Sequence, residues 1–357
     1  MPISVKESIK KTFADADLSK GILGFLLNDF YKINPEAFPY RGIRSILKAL
    51  EWPADYEYTG DNPRALERAW TSNIQGVTND GTNWYFTQEK FLWKFPTGLL
   101  GDHHGDYGGY ALSIPTELFP LGYNHFGDLD YWVDPHYGGF LFVPFECWGA
   151  SPPLDGRIAL YKTSSSGWKP TYIGSTTLTR PPKIAPNTAW CAVNPLNGLL
   201  YTSDGDTVNF LYVYKINLIP NAVMTDIVGL ELKYVGNFKL GVSISAISGG
   251  VFSKNGHLYL VSDKGFSGVP ENDHAHDNDE VKNSGIFAFD MITGRLMKRM
   301  VVEYIPEGID SEELEGITLW DMTTGQIHLI MCDNDAEQAD DLYFKHWRVS
   351  DGDKDKI

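Results

Sequence analysis

The chain has 357 residues, 43% hydrophobic and 13% aromatic, which is enough to bury a large core, and its formal net charge is −16. That charge opposes a nucleic-acid backbone and an anionic membrane surface, and no run of Lys or Arg offsets it, so neither nucleic acid nor membrane is an expected partner. A small-molecule or carbohydrate ligand, or one held beside a cation, is the partner class left open.

The N-terminal stretch MPISVKESIKKTFADADLSK lacks a continuous apolar core of the kind a secretory leader needs, and no apolar run reaches the roughly 18 residues of a membrane helix. Three cysteines, Cys147, Cys191 and Cys332, match no metal-binding spacing and read as buried free thiols. A cytoplasmic location is expected, with export lacking a cleavable signal left open. Residues 1–52 form the first unit: DADLSKGILGFLLNDFYKI and RGIRSILKAL carry apolar residues at helical spacing, with Asp17 as an N-cap, and predict a short helical extension. NPRALERAW, just beyond it, is a further helix candidate.

From residue 70 the chain changes to short alternating apolar runs punctuated by Gly, Pro, Asn and Asp. A strand–turn–strand pattern occurs as NIQGVTNDGTNWYFTQE, HFGDLDYWVDPHYGGFLFVPFE, AWCAVNPLNGLLYTSDGD, ISGGVFSKNGHLYLVSD and LEGITLWDMTTGQIHLIMCDND. A third strand follows each pair (KFLWKFP, GRIALYKT, FLYVYKI, GIFAFDM, DLYFKHWRV), and a fourth follows most of them (PTYIGSTTL, LELKYVGNF, RLMKRMVVEY). Gly76, Asp128, Ala192, Gly250 and Gly316 mark the register of the first strand, recurring roughly every 60 residues, the length of a four-stranded meander. The prediction is an all-β fold, a five-bladed β-propeller over 53–357 with six blades as the alternative. The last copy lacks a fourth strand, and DYEYTG at 55–60 is expected to supply it and close the ring.

EGITLWD together with GHLYLVSD resembles the calcium-assisted propeller hydrolases, including phytase-like and gluconolactonase-like families. The resemblance covers about one blade and places Glu315 at a comparable channel position. Those families usually have six blades, so no other assignment carries over. Five-bladed architecture is shared by arabinanase-like glycosidases, apyrase-like nucleotide hydrolases and tachylectin-like sugar binders, and fold alone does not choose among them.

In a propeller, equivalent positions of the inner strands form rings about the channel. One such column contains Gln75, Gly127, Cys191, Gly249 and Glu315, and two residues earlier stand Asn73, His125, Ala189, Ile247 and Glu313. The second strands end on the same face in Glu89, Glu146, Asp204, Asp263 and Asp333. Carboxylates crowded at a partly dehydrated mouth raise one another's pKa values or call for a cation, and an oxygen-rich set points to Ca²⁺. The expected metal ligands are therefore Glu315, Glu146, Asp204, Asp263 and Asp333, with His125, Glu313, Glu315 and Asp128 as catalytic groups. Turn capping is the competing role for the strand-end acids. Gln75, Asn73, Cys191, Trp190, His274 and His276 are expected to meet substrate, the two histidines from the loop ENDHAHDNDE; GDHHGDYGG is a second polar loop. Trp132, Trp148, Trp168 and Trp190 are candidate stacking platforms, against the alternative of packing between blades. The function this supports is a metal-assisted hydrolase or lyase; the alternatives are a carbohydrate-binding propeller and an interaction scaffold.

Overall fold

The computed structural model describes residues 53–68, 70–99, 111–147, 155–163, 169–179, 188–204, 207–266, 284–302, 312–320, 326–333 and 341–349. The helical extension expected over 1–52 lies outside them. The described chain begins with β1 (Tyr56–Asp61) and β2 (Leu66–Glu67). A four-stranded antiparallel meander follows: β3 (Ile74–Asn79), β4 (Asn83–Gln88), β5 (Phe91–Pro96) and β6 (Leu112–Ser113). The second sheet contains β7 (His125–Phe126), β8 (Asp130–Asp134), β9 (Gly138–Glu146), β10 (Arg157–Lys162) and β11 (Thr171–Thr177), with β7 and β8 both paired to β9. Its inner strand is thus broken around Asp128.

The third sheet has seven strands in sequence order: β12 (Ala192–Val193), β13 (Leu199–Thr202), β14 (Thr207–Pro220), β15 (Ile227–Phe252), β16 (Leu258–Phe266), β17 (Gly285–Phe289) and β18 (Leu296–Met300). LELKYVGNF and ISGGVF, read from sequence as separate strands, are one continuous β15. Its first part pairs with β14 and its last with β16, with register shifts between Ser245 and Ile247 and between Ile247 and Gly249. Ala246, inside that interval, has a left-handed φ of 45°. Two four-stranded meanders therefore share one bent strand. The last sheet joins both ends of the described chain, as β19 (Glu312–Leu319), β20 (Ile327–Asp333) and β21 (Asp341–Val349) are followed outward by β1.

NPRALERAW is not helical. Asn62 donates to the Phe344 carbonyl, Phe344 donates to the Pro63 carbonyl, and β2 pairs Leu66 with Leu342. The open edge of β21 satisfies these backbone groups, and Leu66 and Trp70 pack beside Phe344, so tertiary pairing overrides the helix propensity of Ala65–Arg68.

The apolar faces meet in wedges between neighbouring meanders, and their order is cyclic. Tyr85 and Leu92 of the first meander pack with Phe126 and Val143 of the second. Phe142 and Leu160 meet Leu200 and Tyr214, and Tyr201 meets Phe252 and Leu260 across the shared sheet. Tyr259 and Ile286 meet Ile317 and Met331, and Ile330 and Phe344 return to Ile74 and Phe86. Radial meanders that pack side to side around a common centre make a β-propeller. Alternation along each strand explains the wedges, since each sheet must bury both faces.

Candidate functional site: the hub and its carboxylates

The inner strands converge on Asp128. Its carboxylate oxygens accept from the backbone N–H of Val77 and of Gly250, each at 3.0 Å, and from that of Ile317. Its own N–H donates to the Ala189 carbonyl at 2.7 Å, and its carbonyl accepts from the Cys191 N–H at 3.2 Å, forming a parallel bridge with Trp190. One fully buried side chain therefore ties β3, β15 and β19 to the segment that precedes β12. Burial drives the Asp128 pKa well above the carboxylate range despite the amides, and neighbouring Asp130 adds to the effect.

The small residues that mark the repeat register now have a reason. A Cβ on Gly316 would lie 2.5 Å from both the Asp128 carboxylate and the Gly76 Cα, and one on Gly76 would lie 2.5 Å from the Asp128 Cα. The strands touch at these positions, so the channel is closed at this level and Asp128 sits inside the hub instead of facing a mouth. That placement corrects its expected catalytic role: its oxygens serve backbone amides.

Glu315 and Gly316 lie in the bulge of β19 between Leu314 and Ile317, which shifts the register with β20. Glu315 is buried, its carboxyl hydrogen-bonded to Glu313, and Cys332 lies opposite Glu313 on β20. One donor atom from each of Glu313, Glu315 and Cys332 fits within 4.8 Å. Burial, then the charges of Glu313 and Asp263, raise the Glu315 pKa well above its usual range. Asp263, at the end of β16, turns one carboxylate oxygen to the Leu314 N–H at 2.6 Å, which fixes β19 beside its neighbour. The expected convergence of Glu313, Glu315 and Asp263 is thus a geometric fact, and sequence reasoning missed Cys332. Strand pairing could have found it, because it immediately precedes Asp333, the register partner of Glu312.

His125 lies on β7. It pairs with Glu146 across β7 and β9, and both are largely buried. Burial pushes its pKa down to about 4, opposed by Glu89, whose carboxylate pairs with Lys90 at 2.8 Å. The charges acting on Glu315 come instead from Glu313, Asp263 and Asp128.

The remaining candidates separate further. Asp204 accepts a hydrogen bond from the Tyr212 hydroxyl at 2.6 Å, a local strand-end contact. Asp333 pairs in register with Glu312 and Asp341. Gln75 is half-buried in the bulge of β3, and exposed Asn73, with φ 50°, accepts from the Glu89 N–H through its carbonyl. Trp190 and Cys191 were expected at the substrate and are fully buried. The Trp190 Nε1–H donates to Ser203 at 2.8 Å and its ring fills the space left by Gly250, while burial raises the Cys191 thiol pKa and the thiol faces the Phe142 carbonyl. Wedge packing claims both. Trp132 is half-buried and meets the Phe142 ring at a centroid distance of 6.2 Å. His274, His276, Trp148, Trp168 and the loop at 101–109 lie outside the described residues.

No family model matches the chain, and no curated protein matches it. Among solved structures, the chain is similar to Saccharomyces cerevisiae Sqt1 at 11% identity and a TM-score of 0.34, covering 84% of this chain and 66% of that one. It thus spans just under two thirds of the Sqt1 chain. It is also similar to XC5397 from Xanthomonas campestris, described as a gluconolactonase, at 12% identity and a TM-score of 0.38, covering 83% and 96% of the two chains.

Proposed function

We propose that the chain is a five-bladed propeller closed by β1, and that it works as a metal-assisted hydrolase on a small molecule or glycan at the Glu313–Glu315 end of the hub. The observation that supports this is the buried carboxyl of Glu315 held against the Glu313 carboxyl with Asp263 close by. Two carboxyl groups in that position need a shared proton or a cation. Glu313 and Glu315 are the residues that would hold a divalent cation. Ca²⁺ suits their hard oxygens, and the Cys332 thiol beside them makes Zn²⁺ the competing ion. A bound cation would supply Lewis-acid polarisation of a substrate oxygen.

Without a cation, burial and the Glu313 charge favour the protonated form of Glu315, which can donate that proton, while Glu313 reaches solvent and can orient a water. The burial of Trp190 removes one stacking platform from the carbohydrate-binding alternative. The test is a turnover screen over phosphoesters, lactones and glycosides, run with added Ca²⁺, with Zn²⁺ and with chelator, on wild type and Glu315→Gln. Turnover that needs a cation and disappears in the variant is expected. Activity indifferent to both chelator and variant would overturn the assignment.

A further inference from the structure

His328 on β20 and His346 on β21 are register partners, both buried, and their Nδ1 atoms lie 2.8 Å apart. The Nε2 of His346 lies 2.8 Å from the Asn62 carbonyl, in the link between β1 and β2. A carbonyl only accepts, so Nε2 of His346 carries a proton. In the neutral ring its Nδ1 is then the acceptor, and His328 must donate from Nδ1. The pair therefore hangs the β1–β2 link from the last sheet through one defined pair of tautomers. Two backbone bonds flank it, Asn62 N–H to Phe344 and Phe344 N–H to Pro63.

We infer that this histidine pair is an acid-sensitive latch on the N-terminal strands that flank β21. A first proton can be taken at His328 Nε2, which leaves the Nδ1 contact in place, or at His346 Nδ1, which requires His328 to carry its own proton on Nε2 instead. A second leaves two N–H groups facing each other at hydrogen-bond distance, and the contact must open. The described ring contacts of the pair are with aromatic side chains. On the β4 side His328 meets Trp84, with ring centroids 5.0 Å apart, and on β19 its register partner is Thr318, which accepts from Asn79 of β3. Phe344 packs against both rings. Among the described residues, Asp61 on β1 favours the protonated form of His346, and Lys345 on β21 lies 3.4 Å from Asp61 and offsets it. Burial outweighs Asp61 and holds the His346 pKa below 6.5. The sign follows: the unfolded or detached segment binds protons first, so the latch is secure above about pH 6.5 and weakens as pH falls below it.

Hydrogen–deuterium exchange on the full chain, corrected for intrinsic rates, tests this between about pH 7.5 and about pH 5. Segments 56–62 and 341–349 should lose protection about tenfold more than the hub strand 74–79 in wild type, and His346→Gln, which keeps an N–H for Asn62, should remove that difference. Uniform loss across the molecule, or the same differential loss in the variant, would overturn the latch. Should His346→Gln not fold, His328→Asn replaces it, and the wild-type comparison alone still decides.

Discussion

Replacing Asp128 by Ala would leave the buried amides of Val77, Gly250 and Ile317 without their shared acceptor. The expected loss is about 3 kcal/mol or more, read by urea denaturation. Asp130 offers a pH signature. Its carboxylate accepts from Val193 and Tyr131, yet burial raises its pKa from 3.8 to about 7. The folded protein then binds the proton more tightly than the unfolded chain, so this group's contribution is full below pH 3.8 and is lost as pH rises towards about 7. Asp130→Asn should flatten the stability profile across that window. Glu315→Gln mimics the protonated acid and should change stability by less than about 1 kcal/mol while weakening cation binding at least about tenfold. A large destabilisation with binding intact would show that the carboxyl is structural. The sequence could place Glu313 and Glu315 on one strand face from their spacing, but it could not reveal that Asp128, in the same repeat column as three glycines and an alanine, fills the centre those small residues vacate.

At the scale of elements, alternation and turn residues located nearly every described strand in order, because half-buried meanders write their period into the chain. The short β6 and the break between β7 and β8 were not foreseen, and two further features also escaped. The fusion of two strands into β15 is made by register shifts and a left-handed Ala246, and no Gly or Pro stands at the first shift, between Ser245 and Ile247, to announce a bend. Ala246→Gly should stabilise by about 0.5 kcal/mol, since relief of the left-handed conformation outweighs the added chain entropy. A thermal midpoint lower than wild type would contradict it. β2 escaped because its residues are good helix formers whose backbone is claimed by the edge of β21. Local propensity cannot report a partner more than 270 residues away in sequence.

For the whole molecule, cyclic packing explains how a chain of this length keeps one architecture: every meander buries both faces against neighbours, and the last returns to the first. That ring places Glu315 of one meander beside Asp263 of the next, a proximity that depends on blade geometry and therefore was legible only as a column of acids. The same geometry moved Trp190 and Cys191 into wedges, a distinction that strand alternation alone does not make. The most direct test of the proposed site is calorimetric titration of Ca²⁺, then Zn²⁺, into chelator-stripped wild type and Glu315→Gln. One stoichiometric site in wild type, weakened at least about tenfold in the variant, is the predicted result. A wild-type protein that binds neither ion, or a variant that binds as tightly, would contradict it.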